Sequence, residues 1–178
     1  MENQKRIKVR LEGLSEVMFD RFIDHSKENR PPEQKLYLSG DNLIVLPAEN
    51  LHSFLFGQFP VGCAKAFEGR QGSEYIRFGE SHVFIAPLLI PFLDGKNKPI
   101  KFNGFGKDHL EIWLTSGRTK KGSMSIKQEA KPRPYLKLPW ALEFNITLLE
   151  NPKIDSTKLE NWFRAGGITI AIGTAELR

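Results

Sequence analysis

The sequence predicts an α+β protein, an antiparallel sheet with helices laid on one face, and three observations carry that expectation. Residues 5–12 and 140–149 alternate polar and apolar with the period of a strand. Residues 48–56 and 155–165 place apolar side chains at helical spacing. The two kinds of run are interleaved along 178 residues, the length of one domain spanning 1–178 that can bury a core without staples. A hydrophobic fraction of 40% against 26% charged residues argues against disorder of the whole chain.

Taken in order, Ile7, Val9 and Leu11 share one face of the first strand. Residues 15–27 set Met18, Phe22 and Ile23 at helical spacing, and Arg30-Pro31-Pro32 stops the run, so a short helix or turn is expected there. Residues 35–47 read as two short strands around a Ser39-Gly40-Asp41 turn. Leu51, Phe54 and Leu55 then mark a helix over 48–56, with Pro47 near its first turn, where the missing N–H is harmless. A second short helix is expected near 64–68, a strand over 81–87, a turn-rich stretch over 91–107 and a strand over 110–115.

Residues 117–134 show little apolar periodicity and read as a long loop excursion from the sheet. Trp140, Leu142, Phe144, Ile146 and Leu148 make the buried face of the clearest strand. A helix follows, with Thr157 and Glu160 in capping-box spacing and Leu159, Trp162 and Phe163 on its apolar face. It is expected to end at Gly166-Gly167, and a last strand to run over 168–177. This order fits a ferredoxin-like or RNA-recognition-motif-like core carrying a long basic loop insertion.

The formal charge is +5, and its distribution matters more than its size. Between Arg118 and Lys137 stand seven basic residues and one acid, Glu129, a local balance of +6, so the remainder carries −1. A basic excess confined to about 117–137 is what a polyanion-binding loop presents, although a solvated linker has the same composition. Arg118, Lys120, Lys121, Lys127, Lys131 and Arg133 are the candidate phosphate contacts. Tyr135 and Trp140 at the exit are of the type that stacks bases, Trp140 being in phase with the buried strand face.

Cys63 is the single cysteine, which excludes an intrachain disulfide and points to a reducing compartment. The polar opening Met-Glu-Asn-Gln-Lys-Arg lacks a signal-peptide core and no window is apolar enough to span a bilayer, so a cytoplasmic protein without a membrane partner is expected. His25, His52, His82 and His109 are scattered, no Cys-x-x-Cys or Walker loop occurs, and no metal or cofactor is expected. Asp20 and Asp24, one helical turn apart, have the spacing of a shared cation site but equally that of a solvated face.

Two motifs resemble a family. Leu46-Pro47-Ala48-Glu49-Asn50-Leu51-His52-Ser53-Phe54-Leu55 is similar to the strand, proline and helix of the RAMP superfamily of CRISPR systems. Leu159 to Gly167, with Gly173 beyond, resembles that superfamily's C-terminal helix and glycine-rich loop, with fewer glycines than the family pattern. The resemblance covers about a quarter of the chain. It implies a non-catalytic, guide-RNA-binding subunit in antiviral defence that polymerises along the strand or joins other subunits, with RNA favoured over DNA. The basic excursion would then stand where such subunits insert a thumb between bases.

Gly166 and Gly167, with Arg164 beside them, could let a phosphate approach backbone N–H groups; the same pair would also serve as a helix C-cap. Two alternatives remain open. One is a metal-independent RNA endonuclease of the same superfamily using a histidine such as His52 as general base. The other is a structural or protein-interaction subunit, of phage origin for instance, whose basic loop orders against an acidic partner.

Overall fold

The computed structural model describes residues 4–21, 31–121 and 125–170, those at 115–131 by their backbone. Two antiparallel sheets and four α-helices form among them. The axis of the larger sheet is β8 (Ala141–Leu149). It pairs along its length with β1 (Gln4–Glu12), from Gln4 opposite Leu149 to Glu12 opposite Ala141. Its other edge receives β4 (Val83–Ala86) beside Asn145–Leu148 and β5 (Leu89–Leu93) beside Ala141–Leu142, and β5 continues to β3 (Val45–Pro47).

The alternation along β8 decides which face is covered. Leu142, Phe144, Ile146 and Leu148 are buried, and their cross-strand partners Leu11, Val9 and Ile7 on β1 and Ile85 and Val83 on β4 share that face. The helices α1 (Ala48–Phe56), α2 (Cys63–Phe67), α3 (Gly72–His82) and α4 (Ser156–Thr169) supply the opposing apolar surface. Phe163 of α4 lies 5.9 Å from Phe144 of the sheet and 5.7 Å from Phe54 of α1. Trp162 meets Phe56 and Tyr75 edge-on at 5.8 Å each, joining α4 to α1 and α3. The architecture is therefore α+β, as the interleaved periodicities predict.

The smaller sheet is β2 (Val17–Met18), β7 (Ser125–Leu136) and β6 (Leu110–Lys121), in the order β2-β7-β6. It corrects the reading of 117–137 as a loop. Its two long strands pair from Leu110 opposite Leu136 to Lys121 opposite Ser125. Backbone pairing needs only N–H and C=O groups, so a strand pair can form without apolar alternation in its sequence. At the base, Leu110 and Leu136 join the core, and from there the two strands stay paired to Lys121 and Ser125.

Other expectations shift for equally local reasons. Val17, Met18 and Phe19 are all buried in succession, a requirement of a wedge between ribbon and core that a one-sided helix does not meet, and Val17–Met18 form β2 rather than helix. The continuation of that expected helix over 22–30 lies outside the described residues. The hairpin expected over 35–47 reduces to a 3-10 turn (Pro32–Lys35), an isolated Leu38–Ile44 bridge and β3. Residues 73–80, which no expectation covered, form most of α3, which runs on through Ser81 and His82 so that the strand expected over 81–87 is β4 at Val83–Ala86, and the turn-rich stretch begins inside β5.

The cap of α4 is Asp155, whose Oδ1 accepts from the Lys158 N–H at 2.7 Å, rather than Thr157. That helix continues through Gly166 and Gly167 to Thr169, so the pair is not a C-cap and Ile168–Thr169 are not strand. The rest of the expected last strand, from 171 onward, lies outside the described residues. No helix among the described residues is long and apolar enough to cross a membrane.

Candidate nucleic-acid interface

Among the described residues, the ribbon is tied to the body at its base. β2 contacts β7 through Val17–Leu136 and Met18–Tyr135, and the Phe19 N–H reaches the Pro134 carbonyl at 2.9 Å. Lys35, itself buried, donates to the Pro132 carbonyl at 2.6 Å. Pro132 and Pro134 lack N–H groups, so neither can donate to a strand that would extend the β2 side of β7. Beyond this anchor, no strand other than β6 and β7 takes part in pairs from Thr115–Lys131 to Lys121–Ser125 among the described residues.

Polar contacts lock the base. The Tyr135 hydroxyl donates to Glu111 Oε2 at 2.6 Å, and Lys137 Nζ reaches Glu111 Oε1 at 2.8 Å. Lys137 and then Tyr135 hold the Glu111 carboxyl below the usual range, while the Glu111 carboxylate pushes the Tyr135 phenol up to about 12. Arg133 Nη2 pairs with Asp20 Oδ2 at 3.0 Å, with Nη1 against the Met18 sulfur. Arg133 and Tyr135 are therefore committed to holding the ribbon on the body. Asp20 is the counter-ion of Arg133, and Asp24 lies outside the described residues.

The register sorts the basic positions into two rows. Lys121, Lys127, Lys131 and Arg133 fall in the row of Trp113, which is opposite Arg133, and Glu129 falls in the same row; Arg118 and Lys120 occupy the alternate row. Trp113 is the residue that sequence reasoning missed. It is 44% exposed, stands edge-on to Tyr135 at 6.1 Å, and has Ile112 and Leu114, both exposed, on either side. An exposed Trp is of the side-chain type on which single-strand binders stack bases. Its signal in the sequence is its place just before the basic run, in a strand whose neighbours are apolar on both sides.

Trp140, the other aromatic considered, is packed: its Nε1 donates to the Ser15 carbonyl at 2.9 Å and its ring meets Phe92 edge-on. Arg164 lies exposed on α4, paired with Glu160 one turn earlier at 2.9 Å. It borders a groove between α4 and β1, whose floor includes Val9, Leu11 and Phe163 and whose rim includes Gly167. Gly166 faces the opposite way, buried where a Cβ would stand 2.5 Å from Cys63 Sγ and 2.8 Å from Phe54 Cζ. Close helix packing accounts for Gly166, and the arrangement does not aim the two glycines at one ligand.

His52 sits on α1 with its ring 5.1 Å from Phe56. No group of three His, Cys, Asp or Glu side chains able to hold a metal occurs among the described residues. Comparison with known proteins gives no match to a protein-family model, to a curated protein or to a solved structure. The chain's own residues must carry the functional argument.

Proposed function

We propose that this chain is a non-catalytic subunit that binds single-stranded nucleic acid, RNA before DNA, and works within an oligomer or a larger complex. The observation that carries the reading is the β6–β7 ribbon. It carries Arg118, Lys120, Lys121, Lys127 and Lys131, most of the chain's local basic excess, on paired strands and places an exposed Trp113 at its root. Basic residues neutralise phosphates and release counter-ions, and an aromatic face accepts bases without regard to sequence.

The topology is compatible with the finer fold expectation. The order β1-β8-β4, with α1 to α3 between β1 and β4 and α4 after β8, is that of three strands and the two helical crossovers of a ferredoxin-like split βαβ arrangement. Resemblance to the RAMP superfamily in the strand-proline-helix motif at 46–55 agrees with that frame, since it falls on β3 and α1.

The test is fluorescence anisotropy with labelled single-stranded RNA and DNA over a salt series. Arg133 is paired, which leaves Arg118, Lys120, Lys121, Lys127 and Lys131 as phosphate contacts. For a single strand each such contact contributes about −0.7 to the slope of log K against log salt, so five predict roughly −3.5. A salt-independent interaction, or no binding at low salt, refutes the proposal.

A further inference from the structure

The larger sheet has a second face, turned away from the helices. Arg6 stands opposite Thr147, and Thr147 opposite Phe84, so these three form one row across β1, β8 and β4. Lys8, Asn145 and Ala86 form the next row, and Arg10 and Glu143 the one after. Every residue of the first two rows is exposed or half-exposed, and no helix described above covers them. Phe84 is 50% exposed, while its neighbours Val83 and Ile85 point into the core side.

The charges on this face are not evenly satisfied. Arg10 bonds Glu143 at 2.7 Å, Glu12 at 3.0 Å and Asn97 at 2.9 Å, which closes the end near β5. Lys8 reaches Glu143 only at 3.5 Å and remains 75% exposed. Arg6 takes part in no ion pair or side-chain hydrogen bond among the described residues. The unspent positive charge therefore lies in the rows of Phe84 and Ala86.

Strands are spaced about 4.8 Å apart, so the backbone positions of Phe84 on β4 and Arg6 on β1 stand about 10 Å apart across the sheet, with Lys8 two residues further along β1. Between them lie Thr147 and Asn145, side chains that both donate and accept hydrogen bonds. An aromatic ring set among polar and cationic groups suits a base and its phosphates better than an apolar protein patch, in which charged residues are depleted.

We propose that this open face is a second contact surface for single-stranded nucleic acid, with Phe84 stacking a base, Thr147 and Asn145 bonding to it, and Arg6 and Lys8 holding phosphates. The inference rests on the nucleic-acid reading of the ribbon and extends the ligand's path from there onto the sheet.

The experiment is anisotropy with labelled oligouridylate on the full chain, comparing Phe84→Ala, Phe84→Trp, an Arg6→Gln/Lys8→Gln pair and a ribbon variant, Lys120→Gln/Lys121→Gln/Lys127→Gln. Thermal unfolding checks that each variant is folded, and light scattering follows assembly. Phe84→Ala is expected to weaken binding roughly 5- to 150-fold, the range for losing one stacking aromatic. Phe84→Trp should restore it, which a purely structural role for Phe84 does not predict. The Arg6/Lys8 pair should reduce the salt slope by about 1.4. Wild-type affinity in Phe84→Ala, with the ribbon variant weakened, overturns this inference and leaves the ribbon reading standing. Absence of wild-type binding at low salt removes both. Intact RNA binding with lost self-association in Phe84→Ala assigns the face to a protein contact and overturns the proposal.

Discussion

Replacing Gly166 and, separately, Gly167 with alanine tests how α4 is seated. The two are adjacent in one helix, and neither has the positive φ that favours glycine. Alanine is favoured over glycine by about 0.8–1.0 kcal/mol in a helix interior, and somewhat less near the C-terminal end. At Gly167 the new methyl meets open space, so Gly167→Ala should stabilise by about 0.5–1 kcal/mol. At Gly166 it would enter the packed seam of α4 against α1 and α2, where Cys63 Sγ and Phe54 Cζ stand 2.5 and 2.8 Å from the Cβ position.

Overpacking of that kind costs about 1–3 kcal/mol, which exceeds the helical gain, so Gly166→Ala should be destabilised by up to about 2 kcal/mol. Because the propensity gain is common to both variants, the difference between them isolates the packing cost. Urea unfolding with an unchanged m-value measures it, and each kcal/mol should also appear as about 2–4 °C in Tm. Adding Cys63→Ala to Gly166→Ala should recover part of the loss as a coupling energy, since it removes the nearest atom. Equal stability of the two alanine variants would refute the packing argument. Destabilisation of both would point instead to a left-handed helix terminus.

The Tyr135 phenol should ionise at about 12 by absorbance titration, and Glu111→Gln should return it toward the ordinary value near 10. Because the folded pKa is raised, this group's contribution to stability is complete below the unfolded value and is lost as pH rises through the folded one. Glu111 has the opposite sign: its lowered pKa stabilises above the ordinary carboxylate range, and that contribution is lost as pH falls through the folded value. Cys63, fully buried with its thiol pushed up to about 12, should resist alkylation in the native protein and react only on unfolding. Arg133→Ala should lower stability through the lost Asp20 pair with little effect on the salt slope of RNA binding, whereas Lys127→Gln should reduce that slope by about 0.7 and leave Tm unchanged.

The elements legible in the sequence are those whose burial is one-sided. β1, β8, α1 and the body of α4 each press one face on a common core, so their apolar residues recur with the period of the backbone. The residues misread are those for which that condition fails. Val17 to Phe19 are buried on every side, the ribbon strands meet the core only through their base residues Leu110 and Leu136 among those whose burial is described, and α3 presents Tyr75, Ile76 and Gly79 to its neighbours amid a polar sequence. Gly79 is a case in point: Phe56 packs directly against its backbone where a Cβ would stand. A glycine in a helix looks like a break until the ring that needs the space is known.

The candidate site divides along the same line. Its location was readable from charge alone, because seven basic residues against one acid in a short segment do not depend on the fold. Which of those residues are available was not, because Arg133 and Tyr135 are claimed by Asp20 and Glu111, partners 113 and 24 residues away.

By itself, then, the sequence determined the α+β class, the amphipathic elements of the core and the segment that carries the charge. These follow from local periodicity and composition. Only the tertiary structure decided that the basic segment is a paired ribbon, that Trp113 rather than Tyr135 is the exposed aromatic at its base, and that Phe84 shares a face with Arg6 and Lys8. Those outcomes depend on which distant strands pair and in what register, and a shift of one residue would turn each of these side chains to the other face.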